Sequence, residues 1–378
     1  ARLSGRDKNI LKGTLKLVGR ARKLAPMNSL YVTESAQQHV LLGDLRTAND
    51  EFKQGASLDD ANVQAVTGMI FCQLSAGQLT DAEQQIEFMK EIQTSIGSSY
   101  EIIFLSAVIA WEKDRDQERS IAMLDDCMSH FQSALGSGSL KSTYDYFVHF
   151  DVDFQLQVAR QYMKHCGAEP IDAGEPTPHY LTKALNILAR VTKEVPGLLD
   201  AQLELAKSKF LNNSFDSAER TLKHCLRLKP TYSDAHLIMA QIAIFQENFR
   251  GASNSLEQAL AHDFKVRDSP LFYLIKAKVL DGTGDVSGSI EVLRSALKLP
   301  SVERAVARLA GGSRGRESKR DAGPSSTLSM HDHASIYIAL ANVHTKLGQV
   351  KDASKVIKTA SAIFQGTPEE VRVVVANS

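Results

Sequence analysis

The chain has 378 residues, 43% of them hydrophobic and 23% charged, and lysine plus arginine equal aspartate plus glutamate at 44 each. A neutral chain of this length has no global field to draw it onto nucleic acid or acidic lipid, so proteins are the expected partners, met by two or three domains or by one extended array. The four cysteines, Cys72, Cys127, Cys166 and Cys225, lie far apart without a CxxC pair, which excludes a disulfide framework or zinc module and suits a reducing cytosolic compartment.

Residues 1–28 form a basic segment. Arg2 to Lys23 holds eight basic residues against one acidic residue, Asp7, and Leu11, Leu15 and Val18 make an apolar stripe. Such a helix suits a membrane surface or a partner; the expected reading is a helix stacked on a preceding repeat, because an open helical array needs a neighbour or a cap. ARLSGRDKNI lacks the apolar core of a secretory signal, and no run reaches the roughly 18 apolar residues of a membrane helix.

From residue 29 a period of 34 governs the chain. In LLGDLRTANDEF and SAGQLTDAEQQI, Ala48 and Ala82 are one period apart, and residues 29–130 read as three repeats, with Trp111 closing the first helix of the third. The next anchors, Ser120 and Ala184, are nearly two periods apart. Residues 131–198 therefore read as one irregular repeat with an elongated first helix in YDYFVHFDVDFQLQVARQYMKHC, a loop at ALGSGSLKST and a Pro/Gly-rich turn at GAEPIDAGEPTPH. The lattice resumes over 199–300, where Ala206 matches Ala240, Ala218 matches Ala252, and Cys225 matches Ala259; Ala184 and Pro196 precede Ala218 and Pro230 by one period, and Ala277 and Ser289 take the next places. Residues 301–330 read as a basic loop, with Gly311 to Thr327 disordered. Residues 331–378 give the last helix pair, with Ala341, Gly348, Ala353 and Ala360, and the start of another helix in EEVRVVVANS.

The period has a physical cause. Two antiparallel helices approach closely only where a small side chain sits at their crossing, so alanine, serine or cysteine recurs there while Leu222, Leu256, Leu293 and Ile357 fill the groove beside it. Each hairpin leaves one apolar face for the next to cover. A 34-residue helix-turn-helix period with these small residues resembles the tetratricopeptide repeat, and the predicted fold is an all-α superhelical solenoid of antiparallel helix pairs.

Candidate chemistry is sparse. Gly282-x-Gly284-x-x-x-Gly288 looks like a phosphate loop, but Leu271 to Leu280 reads as helix rather than strand, so the glycines are expected to turn one helix into the next. His331-Asp332-His333, His165-Cys166 and His224-Cys225 have no second pair at metal-site spacing, and Cys127 and Cys225 fall on packing positions. Asp151 and Asp153 point different ways on a helix and form no acid/base pair. No catalytic, cofactor or metal residue is assigned. In some peptide-binding repeat proteins a clamp for C-terminal carboxylates would fall at Thr33 and Gln37, and those residues do not supply it.

Five stretches carry more than the repeat: GMIFCQLSAGQLTDAEQQIEF, VPGLLDAQLELAK, HCLRLKPTYSDAHLIMAQI, HDFKVRDSPLFYLIKAK and GTPEEVRVVVAN. Together they resemble the tetratricopeptide repeat protein 21 family, the all-repeat subunit of the intraflagellar transport A (IFT-A) complex, from about Tyr31 onward. The resemblance implies an internal portion of a long solenoid and a non-enzymatic scaffold for retrograde transport and ciliary cargo import. It places the protein in the cilium or flagellum and at the ciliary base, on the cytoplasmic side. The implied partners are the other IFT-A subunits, built of WD40 propellers plus helical repeats, and beyond them ciliary cargo and the IFT-B and dynein components of the train. The alternative is an adaptor that captures short cargo peptides in its concave groove.

Overall fold

The computed structural model describes residues 6–93, 99–135, 150–172, 174–309, 330–365 and 373. Among them are eighteen α-helices, one short 3-10 turn at Phe264–Asp268 and no strand. The chain divides into two compact units. The first runs to His165 and includes Pro178–Ala201; the second combines Cys166–Thr177 with Gln202 onward.

In the first unit, α1 (Lys8–Leu24) packs on α2 (Ser29–Leu42), which pairs with α3 (Leu45–Leu58). Then come α4 (Val63–Ser75) with α5 (Leu79–Gln93), α6 (Tyr100–Glu112) with α7 (Gln117–Leu135), and α8 (Val152–Met163) with α9 (His179–Glu194). In the second unit lie most of α10 (Leu199–Leu211), then α11 (Phe215–Leu228), α12 (Ser233–Phe245), α13 (Phe249–His262), α14 (Pro270–Gly282), α15 (Val286–Leu297), α16 (Pro300–Leu309), α17 (Met330–Lys346) and α18 (Val350–Phe364).

One turn formula joins the two helices of a pair. The chain leaves the first helix through a left-handed residue: Gly43, Gly77, Asn213, Glu247, Gly284 or Gly348. The next amide then reaches back to a carbonyl in the last turn, as Asp44 to His39 at 2.9 Å, Asn248 to Ala243 at 2.8 Å and Asp285 to Leu280 at 2.9 Å. The bond recurs at Gln78, Ser214 and Gln349. This is the Schellman closure, which satisfies a carbonyl that the helix end would otherwise strand. The same residue often caps the second helix: Asp44 accepts from Thr47 N, Asn248 from Gly251 N, and Asp285 from Gly288 N.

The small positions sit where the paired helices meet. Ala48, Ala82, Ala184, Ala206, Ala218, Cys225, Ala240, Ala252, Ala259, Ala277, Ala341, Ala353 and Ala360 are all buried. Two serines at equivalent places show how close the backbones come. Ser120 Oγ of α7 donates to the carbonyl of Ala107 in α6 at 2.9 Å, and Ser289 Oγ of α15 donates to that of Ala277 in α14 at the same distance. A one-carbon side chain that touches the opposing main chain leaves no room for a larger one.

Each pair then borrows its lid from the next. One apolar cluster joins Leu237 and Ala240 of α12, Leu256 and Ala259 of α13, and Phe272 and Ile275 of α14. Another joins Ala36 of α2, Ala48 and Phe52 of α3, and Cys72 of α4. In both, the third helix is the first of the following pair, the nearest-neighbour packing expected of stacked repeats.

Two expectations are revised, the first being the loop read over 301–330: its opening residues are helical, in α16 (Pro300–Leu309), where the sequence reads as basic loop. The second is the single long helix expected over Tyr144–Cys166: Asp151, at φ 25°, starts a helix within it at Val152 by accepting from Phe154 N at 3.1 Å, and residues 144–149 lie outside the described residues. The stretch read as a disordered loop, Gly311 to Thr327, lies outside the described residues, as does much of EEVRVVVANS.

A few polar groups are enclosed in this packing. His165 Nε2 lies 3.2 Å from Ser120 Oγ, whose own proton goes to Ala107, so the ring donates there; Trp111 packs edge-on at 4.6 Å. Its Nδ1 has no hydrogen-bond partner. His333 is held between Tyr337 and Phe364 with Nε2 unpartnered. Burial disfavours the imidazolium and lowers both rings from 6.5 to about 4.

Three outcomes follow from this packing. Ala218→Leu forces α10 and α11 apart and should cost on the order of 1–3 kcal/mol in urea unfolding. Glu247→Gly relieves an L-residue held at φ 59° and should raise stability by about 0.5–1 kcal/mol in the same assay. The two histidines bind protons more readily unfolded, so their contribution is complete above about pH 6.5 and drains away as pH falls toward about 4. Thermal unfolding followed between pH 7 and pH 4.5 should show a falling midpoint, and His333→Phe should flatten that slope by on the order of 1–3 kcal/mol.

Candidate interaction surfaces

The residues singled out in the sequence are spread one to three to a helix pair, are buried, and converge on no single site. The histidine–cysteine pairs likewise separate. Cys72 and Cys166 are pushed up to about 12 and Cys225 to about 11 by burial, and Cys127 is raised further by burial and the nearby Glu101 and Asp126. These are packing thiols rather than thiolates. His224 is half-buried, with Nδ1 3.3 Å from the Arg227 guanidinium. Among the described residues no three His, Cys, Asp or Glu side chains gather as a metal site would require; the side chains of His331 and Asp332 lie outside them.

The glycine-rich stretch is structural at each point. The Phe249 ring occupies the space a Cβ on Gly282 would need, with ring carbons as near as 2.1 Å; Gly284 is left-handed at φ 91°. The N-terminus of α15, where a phosphate would sit, is already capped by Asp285. Asp151 caps α8, while Asp153 binds the Arg6 guanidinium at 2.9 Å, which also reaches Asp200 at 2.7 Å. Thr33 is buried, donating to Ser29 O and accepting from Asn62 Nδ2. Trp111 is half-buried under Arg115, 5.7 Å from the ring centroid.

The basic N-terminal helix is docked as a repeat helix would be. Leu11 is buried, and Arg22 pairs with Glu51 and donates to Gln54 at 3.1 Å. Beside this buried face runs an apolar ridge: Ile10, Leu17 and Leu24 recur at seven-residue intervals, followed by Met27 and Leu30, and all five are more than half exposed. None of the helices described is long and apolar enough to cross a membrane.

The second surface, in the second unit, was not foreseen. The Pro/Gly-rich segment after α8, expected as a turn, does bend, with Glu175 N donating to Asp172 O at 3.1 Å, but it also packs against helices of the second unit. Ile171 N donates to Leu211 O at the end of α10 at 2.9 Å, and Thr177 Oγ1 donates to Asn212 Oδ1 at 2.6 Å. Glu169 pairs with Lys278 of α14 at 2.9 Å, and Lys278 also lies 5.7 Å over the Phe245 ring of α12. Ala168 and Glu169 form one wall of a narrow cleft. Gln241, Ile244 and Phe245 of α12, Leu271, Leu274, Ile275 and Lys278 of α14, and Ser335 of α17 form the rest. The open space is about 20 Å³, room for a water and no more. No periodic signal marks such a segment, though its two acidic-proline pairs, Glu169-Pro170 and Glu175-Pro176, were visible.

Two family models match, one described as the second ARM domain of tetratricopeptide repeat protein 21, over residues 1–247, and the other as its ARM repeat, over 264–378. The chain is 38% identical to human tetratricopeptide repeat protein 21B and 33% identical to mouse 21A, in each case over 100% of this chain and 28% of the relative. It thus spans a little over a quarter of the length of the curated relatives it matches. A solved tetratricopeptide repeat protein from Parabacteroides merdae aligns over 93% of this chain and 98% of its own at 11% identity, with a TM-score of 0.43. The two models between them take in nearly every helix pair described above, and on that ground the chain belongs to the tetratricopeptide repeat protein 21 family.

Proposed function

We propose that this chain is a stretch of a non-enzymatic scaffold subunit of the IFT-A complex, which supports retrograde transport and ciliary cargo import from the cytoplasmic side of the cilium or flagellum and its base. The observation that carries the reading is the family match along the whole chain, laid on stacked helix pairs. Such a stack spends its small residues on crossings and leaves its outer helix faces to meet other molecules, so affinity accumulates over many moderate contacts. The ridge of Ile10, Leu17, Leu24, Met27 and Leu30 supplies one such contact face. An apolar strip of this kind suits a helical neighbour. The partners this reading names are the IFT-A subunits built of WD40 propellers plus helical repeats, with cargo, IFT-B and dynein components reached through the assembled train.

The test is association of this chain with those subunits by size-exclusion chromatography and interferometry. A scaffold contact should bury well over ~1,000 Å². Binding should therefore survive excess short peptide and weaken at least tenfold when Leu17→Asp and Leu24→Asp are combined. No association with any IFT-A subunit, with the chain folded by circular dichroism, would remove the reading.

A further inference from the structure

Packing in the first unit runs from each pair to the next: α2 touches α3 and α4, and α4 touches α5 and α6. Arg6, two residues ahead of α1, departs from that order. Its Nη2 donates to Asp153 Oδ1 of α8 at 2.9 Å, and its Nη1 donates to Asp200 Oδ2 at 2.7 Å, in the first turn of α10 that belongs to the same unit. Those carboxylates stand on the fourth and fifth pairs, 147 and 194 residues away along the chain. The other end of α1 stays with the first pair, where Arg22 pairs with Glu51 of α3 and donates to Ser35 Oγ of α2 at 3.3 Å. At 17 residues the helix is about 25 Å long. It is therefore a chord, seated on one pair and pinned through Arg6 to two others far along the stack.

We propose that Arg6 is a latch that holds the first unit closed, and that breaking its two ion pairs frees the leading end of α1 and lets the fourth pair move away from the first. Stacked pairs are joined only through their neighbours, so small changes at each joint add along the array, and a chord between distant pairs is what limits the sum. The chemistry of the pin suits that task. A guanidinium presents a planar fork of donors, which lets one side chain take a carboxylate from each of two helices. It also keeps apart the charges of Asp153 and Asp200, which would otherwise face each other across the gap it fills. The latch can open without unfolding the helix behind it. Asp7 caps α1 on its own account by accepting from Asn9 N and Ile10 N, and Arg6 sits outside the helix at φ 61°, a left-handed conformation that release would relax. The three side chains are partly exposed, so salt weakens the hold and the curvature of the unit answers to ionic strength. This inference concerns the first unit alone and stands whichever assembly the chain serves.

The experiment measures the distance between spin labels placed on α1 and α9 through Lys12→Cys and Asn186→Cys, both exposed positions, while the four native cysteines are buried. Double electron–electron resonance should give one narrow distance for the otherwise native chain. Arg6→Glu should move most of the population to a longer, broader distance, and Arg6→Lys, which keeps the charge and loses the fork, should fall between. Arg6→Ala combined with Asp153→Asn and Asp200→Asn should open the unit no further than either change alone. An unchanged distance in Arg6→Glu, with native circular dichroism, would overturn the proposal, and additive opening in the combined variant would remove the ion pairs as its cause. Hydrogen exchange on the unaltered chain gives an answer that needs no variant. Raising ionic strength from about 0.05 M to about 0.5 M should speed exchange at the Leu11 amide at least tenfold and leave amides in the middle of α6 unmoved. Exchange at Leu11 indifferent to salt, or quickened equally with α6, would sink the idea.

Discussion

Everything in this molecule depends on how closely two antiparallel helices can cross. Where Ser120 and Ser289 stand, a hydroxyl one carbon from the main chain reaches a carbonyl of the opposite helix at 2.9 Å. That contact brings the two main chains within reach of a single short side chain. Once the crossing is set, the flanking leucines have one groove to fill, as Leu222 and Leu293 do with no exposure at all. The small residue contributes little burial of its own; its effect is to let its neighbours bury theirs, which is why overfilling one crossing costs more than the added methylenes return.

A close-crossed pair is an unfinished object. Its outward apolar strip must be covered, and the clusters show that the first helix of the next pair covers it: Phe272 and Ile275 for the pair α12–α13, Cys72 for α2–α3. Stability is then shared between neighbours, and no pair has a core it owns. At α1 the buried Leu11 faces α2, while Ile10, Leu17 and Leu24 stay exposed.

How far the sequence discloses this depends on whether a feature is periodic. The crossings repeat every 34 residues, and a lattice drawn through Ala184, Ala218 and Ala252 locates helices, turns and buried positions together. The turns are readable for a related reason, since Gly43, Gly77, Gly284 and Gly348 mark the left-handed place, yet Glu247 holds the same conformation with no glycine to announce it. Single events fare worse. Asp151 starts a helix inside a stretch that the apolar pattern reads as continuous, because one cap outweighs a weak periodic signal. The packing of the segment after α8 is hidden altogether: a segment held by tertiary contacts has no period, and its prolines say only that the chain turns.

The segment after α8 also follows from the repeat geometry. The first helices of successive pairs touch one another, α12 with α14 and α14 with α17, so they form a continuous layer whose surface residues come from several repeats at once. Near the ends of these helices lie carbonyls short of internal partners, and Leu211 O is one that the Ile171 amide completes. The segment therefore brings what the layer lacks: a main-chain donor for a helix end, a carboxylate for Lys278, and small apolar groups beside α12 and α14.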